Sequence, residues 1–188
     1  MPFRFPGAIL AAGAILLSLA CGGGGGTGGQ VQTATLAYVN PAGTGWRWVK
    51  DEALSTPDRL VLALVPPEGV TGLRGVAFSL ASDPAATRWV EVRAGGRSLV
   101  ENGTFNLGGG VPLFRYGQDQ GVLRAGIFQK GRGDATIPDG AAVRVALAVQ
   151  AGAGPGTWTL DRASLKVLPP TGARLVETPV EAGRITVQ

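Results

Sequence analysis

An all-β chain, folded as an antiparallel sandwich, is what three features of the sequence predict. Apolar residues recur at every second position through most of residues 33–188, the period of a half-buried strand. Turn-forming clusters punctuate these runs at intervals of about 10 to 15 residues: NPAGTG, TPD, PPEG, AGG, NGT, LGGG, PDG, GAGPG and PPTG. No stretch between them carries a convincing amphipathic helical pattern. The 31 glycines and 13 prolines fit many short strands joined by turns, and an apolar content of 45% is too high for disorder.

The strands can be justified in chain order. RLVLALV (Arg59 to Val65) is apolar at consecutive positions, which predicts a central strand covered on both faces. VAFSL sets Val76, Phe78 and Leu80 on one face, with Ala77 and Ser79 opposite. DPAAT, from Asp83 to Thr87, predicts a single turn that Asp83 caps and Pro84 opens. LRAGI (Leu123 to Ile127) alternates again, with Arg124 outward. VRVALAV aligns Val143, Val145, Leu147 and Val149 against Arg144, Ala146 and Ala148. TWTLD joins Trp158 to Leu160, ASLKV turns Ala163, Leu165 and Val167 inward, and GRITVQ closes the chain as given. Such a succession makes a sandwich.

The order of these pieces resembles the cohesin-like and carbohydrate-binding β-sandwiches of bacterial surface proteins. The resemblance rests on a strand leading to the D-P turn of GVTGLRGVAFSLASDPAATRWVEV. A glycine-rich middle follows, then GVLRAGIFQKG, the strand AAVRVALAVQAGAGPGTWTLDRASL and the short closing strand GRITVQ. It covers residues 33–188 and implies a jelly-roll sandwich acting as a binding or assembly module. No partner-contacting position carries over, because no motif matches residue by residue.

The segment before the sandwich predicts an address. Residues 1–20 hold one charge, at Arg4, followed by PGAILAAGAILLSLA, fifteen uncharged residues. That is short of the roughly 20 needed to cross a bilayer as a helix, and it fits a secretory signal peptide. LSLAC, ending at Cys21, resembles the lipobox of bacterial lipoproteins, with Ala20 and Cys21 matching and Ser18 standing where leucine is commonest. The resemblance implies cleavage before Cys21, a diacylglycerol on its sulfur and a further acyl chain such as palmitate on the new amine. Two or three chains hold a protein on a membrane where one does not. Cys21 is the chain's single cysteine, so no internal disulfide is possible. Residues 21–32 then form a lipidated, glycine-rich tether; its eight-residue core GGGGGTGG spans roughly 16 Å as a flexible coil. Gly22 stands where the retention signal of that family often has aspartate, which implies the outer membrane of the cell envelope.

The site candidates are few. Trp46 and Trp48 in GWRWVK lie two apart and share a strand face: if closed, that face is core, and if open it is a stacking platform for sugar rings. Tryptophans at this period mostly pack inward, so core is the favoured reading, and more so for Trp89 and Trp158. Tyr116, placed in a loop beside GQDQG, is a third candidate for ligand binding. GRGD contains the tripeptide of integrin ligands, a three-residue match of the kind chance supplies, and NGT at Asn102 fits a glycosylation sequon that a bacterial lipoprotein gives no reason to use. Asp119, Asp134 and Asp139 could serve calcium but fit turn formation better. The complete absence of histidine removes the commonest general base and metal ligand, and no G-x-S-x-G elbow is present. Of the carboxylate candidates, Asp51 and Glu52 are strand neighbours that would point apart, and Glu91 and Glu101 complete the set. Charges are scattered about a formal net of +4, which gives no nucleic-acid footprint. The expectation is therefore a non-enzymatic surface lipoprotein without cofactor or metal. It is anchored in lipid through Cys21 and binds a protein or, alternatively, a polysaccharide.

Overall fold

Alternation of apolar and small or polar residues makes the strands, and the side they bury assembles them. The computed structural model describes residues 34–70, 72–103, 113–129, 135–136, 140–160, 162–171 and 174–188, and every regular element among them is a strand. One sheet has the order β15-β2-β3-β11-β6: β15 (Val180–Glu181), β2 (Trp46–Lys50), β3 (Leu60–Val65), β11 (Val143–Val149) and β6 (Thr87–Val90), with β7 (Val100–Asn102) also on β11. The second has the order β14-β13-β5-β9-β8: β14 (Val176–Thr178), β13 (Ala163–Leu168), β5 (Gly75–Ala81), β9 (Val122–Phe128) and β8 (Leu113–Asp119). A three-stranded sheet joins β1 (Leu36–Val39), β16 (Arg184–Val187) and β12 (Gly156–Thr159), and β4 (Gly72–Leu73) pairs with β10 (Ala135–Thr136). All strand pairings among the described residues are antiparallel except β15 with β2, so the antiparallel sandwich holds with one parallel addition at an edge.

The core lies between the two large sheets. Val76, Phe78 and Leu80 of β5 and Leu123 and Ile127 of β9 face Trp48, Leu62, Leu64, Val145 and Leu147 of the other sheet. The rings of Trp48 and Phe78 meet edge to face across the gap, centroids 5.0 Å apart at 69°. Such a pair adds about 0.5–1.5 kcal/mol beyond its buried area. Strand β3 is covered on both faces, as its unbroken apolar run predicts. Leu60, Leu62 and Leu64 point to the main core, while Val61 packs with Val92, Ala146, Leu54 and Val90 behind the sheet.

Polar pins tie the strands at their ends. Asp83 makes the expected single turn: its side chain accepts from the Ala85 amide at 2.9 Å and its carbonyl from the Thr87 amide at 2.9 Å. The Gly121 carbonyl, in the tight turn between β8 and β9, accepts from the Ser82 amide at 3.0 Å and from the Trp89 indole at 2.8 Å. Behind the six-stranded sheet, the Arg144 guanidinium meets Asp51 at 2.6 Å in a partly buried ion pair. The Tyr38 hydroxyl donates to the Trp48 carbonyl at 2.9 Å and accepts from the Gly183 amide at 2.7 Å, fastening β1 to β2 and to the turn before β16.

Two sequence expectations are corrected here. TWTLD and ASLKV do not continue one another: β12 pairs with β16 and β13 with β5, in different sheets. Trp158 is not core either. It is half-buried on the free side of β12, and its indole folds back over Gly156, where a Cβ would come within 2.8 Å of the ring. A tryptophan on an edge strand has a neighbour on one side only, so alternation alone could not bury it.

Candidate functional site

The sheet β14-β13-β5-β9-β8 has an outer face that no described strand covers. Which residues occupy it follows from the pleat, because every second residue of each strand points away from the core. On the two central strands these are Ala77 and Ser79 of β5 and Arg124 and Gly126 of β9. On the flanking strands they are Ser164 and Lys166 of β13 and Arg115 and Gly117 of β8. Small residues thus occupy the middle and long cationic ones stand around it. The result is a shallow open basin of about 600 Å³. Its floor is closed by a hydrogen bond between the hydroxyls of Ser79 and Ser164, 2.7 Å apart.

Beyond one end of the basin the same face is apolar. The Phe128 ring lies across Gly126 and Gly75, whose added Cβ atoms would come within 2.8 and 2.3 Å of it. The two glycines therefore seat this ring flat on the sheet. Opposite Phe128 in register stands Leu113, 58% exposed. Three cations, Arg115, Arg124 and Lys166, border the remainder. Glu177 on β14 reaches Lys166 only at 3.8 Å, with both side chains largely in water, so it neutralises little of that charge. The face combines a flat floor, one exposed aromatic–aliphatic step and a positive surround. That chemistry suits a macromolecular surface bearing carboxylates and an apolar anchor, and it lacks the depth a small ligand needs for burial.

The aromatic candidates do not converge there. Trp48 is completely buried and Trp46 is 6% exposed, both within the main core, so neither presents a ring face to a sugar. The open-platform alternative for this pair is thereby withdrawn. Tyr116 lies not in a loop but in the middle of β8, opposite Ala125, which puts its ring on the inner side at the sheet's edge. There it packs against Phe114, centroids 5.7 Å apart, and its hydroxyl donates to the Arg97 carbonyl at 3.3 Å. It borders the basin through its strand position rather than as a stacking ring. Cys21, the tether, the GRGD stretch ending at Asp134, and Asp139 lie outside the described residues. The carboxylates considered for catalysis are spoken for individually: Asp51 by Arg144, Glu52 by Lys50 at 2.7 Å and Glu101 by Arg93 at 2.9 Å. Glu91 is exposed.

A second concavity, about 440 Å³, opens at one end of the sandwich beside Asp83, Pro84, Thr157, Trp158, Thr159 and Arg162. Its one aromatic, Trp158, uses a ring face on Gly156.

Sequence reasoning missed the basin. Its signal was present as the small outward residues of VAFSL and LRAGI, but smallness announces a flat face only once β5 and β9 are known to be adjacent.

No family model matches the chain, and no curated protein matches it. Among solved structures it is similar to the type II cohesin A11 from Bacteroides cellulosolvens, at 14% identity over 73% of this chain and 99% of that one, with a TM-score of 0.48. The seventh ScaB type I cohesin from Pseudobacteroides cellulosolvens aligns at 15% identity over 74% and 88%, with a TM-score of 0.44. A cohesin module of a family 33 glycoside hydrolase from Clostridium perfringens aligns at 10% identity over 80% and 98%, with a TM-score of 0.38.

Proposed function

We propose that this chain is a non-catalytic, lipid-anchored module of the bacterial cell envelope that binds a partner protein on the outer face of its five-stranded sheet. The observation that carries the reading is the basin itself. Central strands of a solvated sheet ordinarily display β-branched or long polar side chains, and here the middle strand β5 displays only glycine, alanine and serine, with Gly126 of β9 beside them and Arg115, Arg124 and Lys166 around. A face that is flat in the middle, positive at its border and apolar at Phe128 and Leu113 is built to be covered by another surface. The anchor part of the proposal rests on the lipobox-like LSLAC and the glycine tether behind it. Two or three acyl chains at Cys21 would hold the sandwich near the membrane, while the tether leaves its orientation free.

The test is affinity capture from envelope extract with three forms of the tagged chain: unaltered, Ser79→Tyr and Arg124→Glu. Both substitutions fall at outward positions, so circular dichroism should be unchanged. The same captured protein should be recovered with the unaltered chain, lost with Ser79→Tyr, and weakened by Arg124→Glu and by added salt. Capture that survives both substitutions would refute this face as the binding surface. For the anchor, labelled palmitate should enter the unaltered chain and not Cys21→Ser; an unlabelled product partitioning into the aqueous phase would refute it.

A further inference from the structure

The strand β8 is the longest sheet edge left without a neighbour among the described residues. It runs seven residues, Leu113–Asp119, while the edges at β14, β15 and β6 have three, two and four. It contains no proline and no bulge, since its register with β9 is unbroken across all seven pairs. Proteins usually blunt such an edge, because its unpaired amides and carbonyls template another strand.

The bonding phase of that edge can be worked out. Gln120 and Gly121 form a two-residue turn with φ of 45° and 78°, so Asp119 and Val122 close the hairpin as a hydrogen-bonded pair. Alternation then assigns Gly117, Arg115 and Leu113 to bonding with β9. An independent contact agrees: the Gln129 amide bonds to the Arg74 carbonyl on the β5 side at 2.8 Å, so Phe128, Gly126 and Arg124 turn toward β8. What remains on the free edge are the amides and carbonyls of Phe114, Tyr116 and Gln118. These three are evenly spaced about Tyr116.

We infer that two copies of this chain pair through β8, antiparallel about a two-fold axis at Tyr116. In that register Tyr116 exchanges two backbone hydrogen bonds with its own copy, and Phe114 and Gln118 exchange two with each other on either side. No other symmetric register engages all three residues of both strands. The side chains fit the same arrangement. Arg115 falls opposite Gly117 of the second copy, a residue with no side chain and with open space around its Cβ position. It can cross that glycine to the diagonal Asp119, and the symmetry repeats the contact. Its other diagonal neighbour is Arg115 of the second copy, so each Arg115 has one attractive and one repulsive contact across the pair. Pairing joins two five-stranded sheets into one of ten, and a two-fold normal to the sheet leaves both basins on the same side. The dimer would therefore offer two like faces to one large or repetitive partner.

The test uses the full chain carrying Cys21→Ser, which removes its single thiol. Sedimentation velocity from about 1 to 200 µM should show a monomer–dimer equilibrium, and Tyr116→Pro should weaken it at least tenfold. That substitution removes an amide facing away from β9, so it spares the hairpin, as an edge proline can. In the same background, Tyr116→Cys should form a disulfide-linked dimer under mild oxidation, because residues on the axis lie about 5.5 Å apart. Leu113→Cys should not, since its two copies would be about 20 Å apart. Arg115→Asp or Asp119→Arg alone should weaken the dimer, and the two together should restore it. A chain that stays monomeric to 200 µM overturns the inference, including the case where β8 accepts a strand from another protein instead. Self-association that survives Tyr116→Pro, or equal cross-linking at Leu113→Cys, overturns it as well.

Discussion

The Tyr38 hydroxyl offers a test of the fold in which two effects have separate signatures. It both donates, to the Trp48 carbonyl, and accepts, from the Gly183 amide. Tyr38→Phe removes both bonds and leaves a carbonyl and an amide without that partner, which should cost about 1–3 kcal/mol at pH 8. The second effect is in the pH dependence. Burial pushes the phenol up from 10.0 to about 12, against a smaller lowering by the Gly183 bond, because the phenolate would lose its hydration. A folded pKa above the unfolded one means that this stabilisation is complete below pH 10 and is lost as pH rises toward 12. At pH 11 the unfolded chain has given up most of this proton and the folded chain almost none, which removes about 1.4 kcal/mol. The assay is urea unfolding followed by tryptophan fluorescence, at pH 8 and pH 11, on both forms. Lysines and other groups that titrate in this range act on both proteins and cancel in the comparison. The stability gap between them should narrow by about 1.4 kcal/mol from pH 8 to pH 11. A gap that is the same at both values would show the hydroxyl to be hydrated in the folded state, and the argument would fail.

Two further outcomes follow from the pins around the core. Trp48 is fully buried, yet its indole N–H has no hydrogen-bond partner among the described residues, whereas the Trp89 N–H donates to Gly121 at 2.8 Å. Trp89→Phe should therefore lower the unfolding free energy by about 1 kcal/mol more than Trp48→Phe, and equal losses in a denaturant titration would contradict the assignment. Gly121→Ala places a Cβ at φ +78°, within 2.6 Å of the Ser82 carbonyl oxygen, so both conformation and space oppose it. It should cost about 2–3 kcal/mol in the same titration, and a loss under 1 kcal/mol would mean the turn can rearrange.

The strands were legible because the physics that makes them is local. A face buried at Val76, Phe78 and Leu80 needs only alternation, and a strand covered on both sides needs only the unbroken run from Leu60 to Leu64. The Asp83 turn was equally legible, since a capping carboxylate and the proline after it act within five residues. Partnership was not. TWTLD and ASLKV are separated by one residue in sequence and lie in different sheets, because β12 finds its mate in β16, 25 to 31 residues later, from the pairing of Thr159 with Arg184 to that of Gly156 with Val187. Nothing in either segment names that partner. The paired tryptophans of β2 show the converse. Their shared face could be read, but whether it was open depended on β3, β5 and the second sheet, which only tertiary packing supplies.

The basin raises a question of free energy that can be put to experiment. Ala77 lies on β5 between Gly126 of β9 and Lys166 of β13, in the interior of a sheet where alanine and glycine are poor strand formers. A sequence shaped only by folding would place threonine or valine there, gaining a few tenths to about 1 kcal/mol. If these small residues exist to keep the face flat, Ala77→Thr should raise the urea midpoint slightly while weakening capture of the partner. Stability and binding would then move in opposite directions, as they do where a site has displaced the better strand former. Should Ala77→Thr destabilise the fold, the outer face is already packed in a way that leaves no room even for two extra atoms. The small residues would in that case be serving this sheet and not a visitor to it.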